Sequence, residues 1–184
     1  MLNRSYILQA FIIKRKNYGE ADKFITVFSR EHGKVTLKAK GIRKISSRRA
    51  GNLELFNQVI LLVVKGKGDM DVITEVQLTC NYTHLGNDYY KTHIAYQLVE
   101  LVDKLTGQHE KHEDLYKLLD LAFTYLSQAT IDHTTFQNIV MRFKIRILDI
   151  LGFGVPTQHN HDLLTQHIEE ILERKLLAAK SFDI

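Results

Sequence analysis

Between Lys34 and Arg49 the chain carries seven cations, Lys34, Lys38, Lys40, Arg43, Lys44, Arg48 and Arg49, and no acidic residue. Gly41 and Ser46-Ser47 punctuate the run. Uncompensated charge at this density suits one kind of chemistry, the neutralisation of a row of phosphates with release of their condensed counterions. Such contacts grip a polyanion backbone without reading its bases, so sequence-tolerant binding of single strands, and of duplexes, is expected. Bases stack on aromatic rings, and Tyr6, Phe11, Tyr18, Phe24, Phe28 and Phe56 lie within reach in the sequence. Most of these suit a packed core. Tyr18, read as part of a turn, is the ring expected at the surface. The competing reading of the basic run is a solvated face.

Other candidate chemistry is thinner. Gly66-Lys67-Gly68 lacks the spacing of a phosphate loop and leads to Asp69 and a strand pattern, so it reads as a hairpin. His159, His161 and His167 are closely spaced, but no cysteine accompanies them and no metal is expected there. Cys80, the one cysteine, excludes a disulfide framework and fits a reducing compartment. No nucleophile elbow, carboxylate cluster or paired-histidine protease motif is visible, so neither a cofactor nor catalysis is expected. Arg142, Lys144 and Arg146 sit beside the apolar Phe143 and Ile147. They read either as a solvated face or as a cationic rim that receives an acidic, hydrophobic-ended peptide.

These residues need elements to position them, and the charge divides where the patterning changes. Residues 1–68 hold 15 Lys/Arg against 4 Asp/Glu, a balance of +11, whereas residues 69–184 balance at −7. One part is therefore built to meet a polyanion and the other is not. Tyr6–Lys14, Lys23–Ser29, Lys34–Lys40, Leu55–Lys65 and Asp71–Leu78 read as strands, separated by turns at Asn17–Glu20, Glu31–Gly33 and the Gly66 hairpin. In the third, Val35, Leu37 and Ala39 share one face, which places Lys34, Lys38 and Lys40 on the other. Five short antiparallel strands with apolar residues on both faces suit a small closed barrel of the OB type.

After about Tyr82 the apolar period becomes helical. Ile94–Leu105, Leu115–Leu126, a third helix from near Asp132 to Gly152, and a fourth from about Asp162 to Ala179 follow. The fold class is thus α+β, with an OB barrel over residues 1–80 and an all-α domain over 81–184, the join lying between Cys80 and Asp88. No 18-residue apolar run or leader pattern is present, so the chain reads as cytoplasmic, with no membrane contact.

Tyr18-Gly19-Glu20-Ala21-Asp22, Ile25–Lys34, Ala39–Lys44, and Ser47-Arg48 with Leu53–Phe56 together resemble, in order and spacing, the N-terminal half of the bacterial RecO family of DNA repair proteins. Phe143–Leu148, Leu151-Gly152-Phe153 and Pro156 resemble that family's helix before its C-terminal region, and Ile168–Ser181 its closing helix. The resemblance implies an OB-fold, a helical domain and a recombination mediator with cytoplasmic, nucleoid-associated localisation. It implies binding of single- and double-stranded DNA, strand annealing, and contact with the acidic tail of single-stranded DNA-binding protein. With RecR, and in many cases RecF, such a protein helps load RecA onto coated strands.

The residues carried over are Lys34, Lys38, Lys40, Arg43, Lys44, Arg48 and Arg49 for DNA, joined by Tyr18, with Arg142, Lys144 and Arg146 for the tail. Many members carry a zinc-binding cysteine cluster after the Leu-Gly…Pro motif, where this chain has Thr157-Gln158-His159-Asn160-His161, so a shortened, zinc-free form is expected. Charge alone equally allows an RNA-binding OB protein of translation or RNA processing. A nuclease is the third and least supported alternative.

Overall fold

The computed structural model describes residues 5–45, 47, 49–66, 68, 70–158 and 160–178. Arg48, Lys67, Asp69, His159 and the segment beyond 178, including Ala179 and Ser181, lie outside the described residues. Among those described are five strands, β1 Ser5–Tyr18, β2 Asp22–Ser29, β3 Gly33–Ala39, β4 Gln58–Val64 and β5 Val72–Cys80. They close into a barrel in the order β1-β2-β3-β5-β4, with β3 and β5 parallel and the other pairs antiparallel. This is the five-stranded OB-fold expected from the alternating pattern. Alternation directs Leu8, Ala10 and Ile12, Ile25 and Val27, Val35 and Leu37, and Val59, Leu61 and Val63 into one core. Phe11, also buried, packs outside that core against the rings of Tyr82 and Tyr116, with centroids 6.4 and 5.4 Å away.

β1 runs beyond the expected Lys14 to Tyr18. Its first half pairs with β4 and its second with β2, and a register shift between Ile12 and Lys14 lets one bent strand serve both. The polar Lys14–Asn17 stretch gives no apolar alternation, but Arg15↔Ile25 and Lys16↔Phe24 pairing extends it along β2, which pairs with β3 on its other side. β4 starts at Gln58 rather than Leu55 because the preceding loop turns back on itself. Phe56 takes φ 73° there, and its N–H donates to the Ile12 carbonyl at 2.9 Å.

Helices α1 Tyr89–Leu105, α2 Glu113–Gln128, α3 His133–Leu151 and α4 His161–Leu172 follow a short 3-10 turn at Thr83–Asn87. α3 starts and stops where its signals predict. Asp132 caps it by accepting from the Thr135 N–H at 2.7 Å, and Gly152 ends it at φ 73°. The fourth helix is shorter than expected. It ends at Leu172, with Glu173 left-handed at φ 52°. Carboxylates then replace helical carbonyls as partners: Glu169 accepts from the Leu176 N–H, and Glu100 from those of Leu177 and Ala178. Leu176 continues the apolar period and is buried, but from a non-helical segment.

The described chain packs as two units. One contains the barrel together with Thr106–Tyr116, and the other contains His84–Leu105 and the chain from Lys117 onward. Within the first unit, the stretch between α1 and α2 lies along β3. The His109 N–H donates to the Lys34 carbonyl at 2.9 Å, and Arg30 pairs with Glu113 at 3.0 Å. Gly33, at φ 63°, permits this approach, since a Cβ there would sit 1.7 Å from the Glu110 carbonyl oxygen. An L-residue in that conformation costs about 1–2 kcal/mol before any collision. Gly33→Ala is therefore expected to lower stability by about 2 kcal/mol or more in urea denaturation, and to speed amide exchange at His109. Unchanged stability and exchange would show that the segment is not seated on Gly33.

Candidate nucleic-acid interface

A groove of about 690 Å³ opens on the barrel surface. Tyr18 and Phe24 line it from β1 and β2, Lys38 and Lys40 from β3 and just beyond, and Val72 and Thr74 from β5. The β4–β5 turn completes the wall with Lys65, Gly66, Gly68 and Met70. Asp71 shapes that turn. Its carboxylate accepts from the Gly66 N–H at 3.2 Å and from the Tyr6 hydroxyl at 2.7 Å, while its carbonyl accepts from the Lys38 N–H at 2.9 Å. Burial first, then Asp71, raises the Tyr6 hydroxyl above its ordinary pKa, so Tyr6 remains a donor. Gly66 has no Cβ where one would lie 2.1 Å from the Met70 carbonyl oxygen.

The aromatic and cationic walls meet at Tyr18. Its ring is 4.3 Å from that of Phe24, and the Lys38 ammonium lies 4.7 Å from its centroid. Tyr18 is 48% exposed, although it ends β1 rather than lying in a turn. Lys38 also pairs with Asp22 at 3.0 Å. The Gly41 N–H, then Lys38, holds the Asp22 carboxyl below its ordinary pKa. Asp22 thus remains ionised and competes with any incoming anion for Lys38. Lys40 and Lys44 are exposed.

The remaining predicted cations divide by what holds them. Arg43 is exposed and donates to the Gly19 carbonyl at 3.0 Å, tying the β3–β4 loop to the β1–β2 turn. Arg49 clamps the other end of that loop, donating to the carbonyls of Ile73 at 2.9 Å and Lys40 at 2.8 Å. Its positive charge stays beside the groove while its hydrogens serve the fold. Lys34 departs from the expected shared face. It is only 7% exposed, because the segment carrying Gln108 and His109 lies over the start of β3. Arg48 lies outside the described residues.

Two groove residues were not singled out by type and spacing. Lys65 looks like an ordinary hairpin cation until the barrel is recognised, since the β4–β5 loop of an OB-fold borders its ligand face. Phe24 reads as core by residue type, yet it alternates away from the inward-facing Ile25 and Val27, is only half-buried and turns its ring to Tyr18.

The three cations on α3 do not form one set. Arg142 and Arg146 are exposed, one turn apart, with Arg146 paired to Asp149 at 3.0 Å. Lys144 faces the opposite way and is 1% exposed. Its ammonium donates to Thr165 Oγ1 at 2.6 Å and lies 3.3 Å from His161 Nε2. Burial brings its pKa down to about 8 against the pull of Asp162 and Glu169. Burial and Lys144 together keep His161 below its ordinary value. Among the described residues, no three His, Cys, Asp or Glu side chains are grouped to hold a metal, and no helix is long and apolar enough to cross a membrane.

Residues 3–82 match the family model described as Recombination protein O N terminal, and residues 86–175 match that described as Recombination protein O C terminal. The chain belongs to the recombination protein O family. Among its relatives, the DNA repair protein RecO of Desulfitobacterium hafniense is 30% identical over 148 residues, 80% of this chain and 52% of that protein. That of Heliobacterium modesticaldum is 34% identical, over 82% of this chain and 52% of its own length. That of Cutibacterium acnes is also 34% identical, over 82% and 62% respectively. The chain thus spans about half the length of the first two relatives. In this recombination protein O family member the two matched regions meet between residues 82 and 86, where β5 gives way to the 3-10 turn.

Proposed function

We propose that the chain acts in DNA repair as a non-catalytic recombination mediator, and that the barrel groove binds DNA. The observation that carries this reading is the junction of Lys38, Lys40 and Lys65 with the Tyr18–Phe24 pair in one groove. Lysines gathered along one groove neutralise phosphates, and an exposed ring in contact with a cation offers a base a stacking platform. Arg43, Lys44 and Arg49 extend the positive field beyond the groove, whereas buried Lys34 contributes at longer range; Arg48, outside the described residues, is proposed with them from the sequence alone. The division of labour follows the two regions, with residues 1–80 for nucleic acid and 81–184 for proteins.

By analogy with the family, the protein binds single and double strands, anneals them, and helps RecA displace single-stranded DNA-binding protein in the cytoplasm, together with RecR and RecF. The acidic tail of single-stranded DNA-binding protein has Arg142 and Arg146 as its exposed cationic contacts. Lys144 supports α3 from behind.

Anisotropy of a labelled single-stranded oligonucleotide, titrated across a salt series, tests the DNA reading. Three lysine contacts give a slope of log K against log salt of about −2. Binding indifferent to salt, or displaced by RNA far better than by DNA, overturns the DNA assignment. Adding RecR and RecA to strands coated by single-stranded DNA-binding protein then tests the mediator role.

A further inference from the structure

Ile45 sits in the β3–β4 loop with its side chain as open as in an extended chain, at 107% relative exposure. Single exposed apolar residues are ordinary on protein surfaces. Three features set this one apart. Its neighbours Arg43 and Lys44 are exposed cations, so it stands in a part of the surface attractive to a polyanion. It occupies a turn, where a β-branched residue has no conformational advantage. The turn is also held in shape. The Lys44 N–H donates to the Gly41 carbonyl at 3.2 Å, the Ser47 N–H to the Lys44 carbonyl at 2.9 Å, and the Arg43 N–H to the Ala21 carbonyl at 2.9 Å. Arg49 pins the loop's return to the carbonyls of Lys40 and Thr74, both residues of the groove wall. Lys40 and Arg49 are thus both fixed at the groove rim, and the exposed Ile45 lies between them in the sequence.

We propose that Ile45 is a wedge that inserts between adjacent bases of a duplex held along the groove, unstacking one base step. This rests on the DNA-binding reading above and deepens it. Flanking cations hold the phosphates while the aliphatic side chain, solvated on every side in the free protein, gains burial between bases. The energy gained by burying one isoleucine is of the same order as that lost in unstacking a step, so the wedge changes DNA conformation more than affinity.

The test uses the full chain and a duplex carrying 2-aminopurine, whose fluorescence rises when it is unstacked. Wild-type protein is expected to raise that fluorescence on binding. Ile45→Ser should bind with the same salt slope and an affinity within about threefold, yet give little rise, and Ile45→Phe should restore it. Equal fluorescence gain with Ile45→Ser overturns the wedge while leaving DNA binding intact. Absence of duplex binding by the wild-type chain overturns duplex binding itself, and the wedge with it. Thermal melting of each variant checks that the exposed substitutions leave the fold unchanged.

Discussion

Replacing Lys38, Lys40 and Lys65 together by glutamine should weaken binding of a single-stranded oligonucleotide about a hundredfold at 0.1 M monovalent salt. Each phosphate contact on a single strand contributes about 0.7 to the steepness of log K against log salt, so losing three removes about two decades of affinity between 1 M and 0.1 M. The salt dependence should flatten by the same amount. Glutamine keeps much of each side chain's length and its hydrogen bonding, and the fold survives because none of the three lysines is in the core. Asp22 loses its partner in this variant but still accepts from the Gly41 N–H at 2.8 Å. Tyr18→Ala is the informative control. It removes a stacking surface and no charge, and so should lower affinity about fivefold or more while leaving the slope unchanged. Anisotropy across the salt series separates the two effects. A triple variant with the wild-type slope would place the phosphates elsewhere.

The extent to which this site is legible in sequence follows from the physics of each residue. Val35, Leu37 and Ala39 announce their inward face by strict alternation, and with it the outward face of Lys38. Asp132 and Gly152 announce the ends of α3 because capping is local chemistry. What escapes is decided by contacts distant in sequence. Nothing near Lys34 predicts that residues more than 70 positions later will cover it, and nothing near Leu177 and Ala178 predicts that Glu100 will take their N–H groups. Polarity misleads in the same way at Lys144, where a cation in an otherwise amphipathic helix is assigned to solvent by default. Groove membership of Lys65 required the barrel's closure, a property of all five strands together.

Lys144→Met should reverse part of the protein's dependence on alkaline pH. The wild-type ammonium is buried, and its pKa falls from the ordinary 10.5 to about 8. Between those values the unfolded chain binds a proton that the folded chain has released, so stability rises with pH across that window. The stabilisation is complete above the unfolded value and is lost as pH falls through the folded one. Below about pH 8 the fold carries the full penalty of a buried charge, on the order of 3 kcal/mol relative to the neutral amine. Asp162 and Glu169 reduce that penalty, whereas His161 faces the ammonium from α4 and is held below its ordinary pKa by burial and by Lys144. Methionine matches the unbranched lysine stem and keeps the contacts of the helix face, and Thr165 still donates to the His161 carbonyl at 2.7 Å. The stability of Lys144→Met relative to wild type should therefore be highest near pH 7 and decline by on the order of 3 kcal/mol toward pH 10.5. Urea denaturation of both proteins at matched pH isolates the lysine from Tyr6 and the other groups that titrate in both. A difference that stays flat from pH 7 to 10.5 would mean that the ammonium is solvated rather than buried against α4.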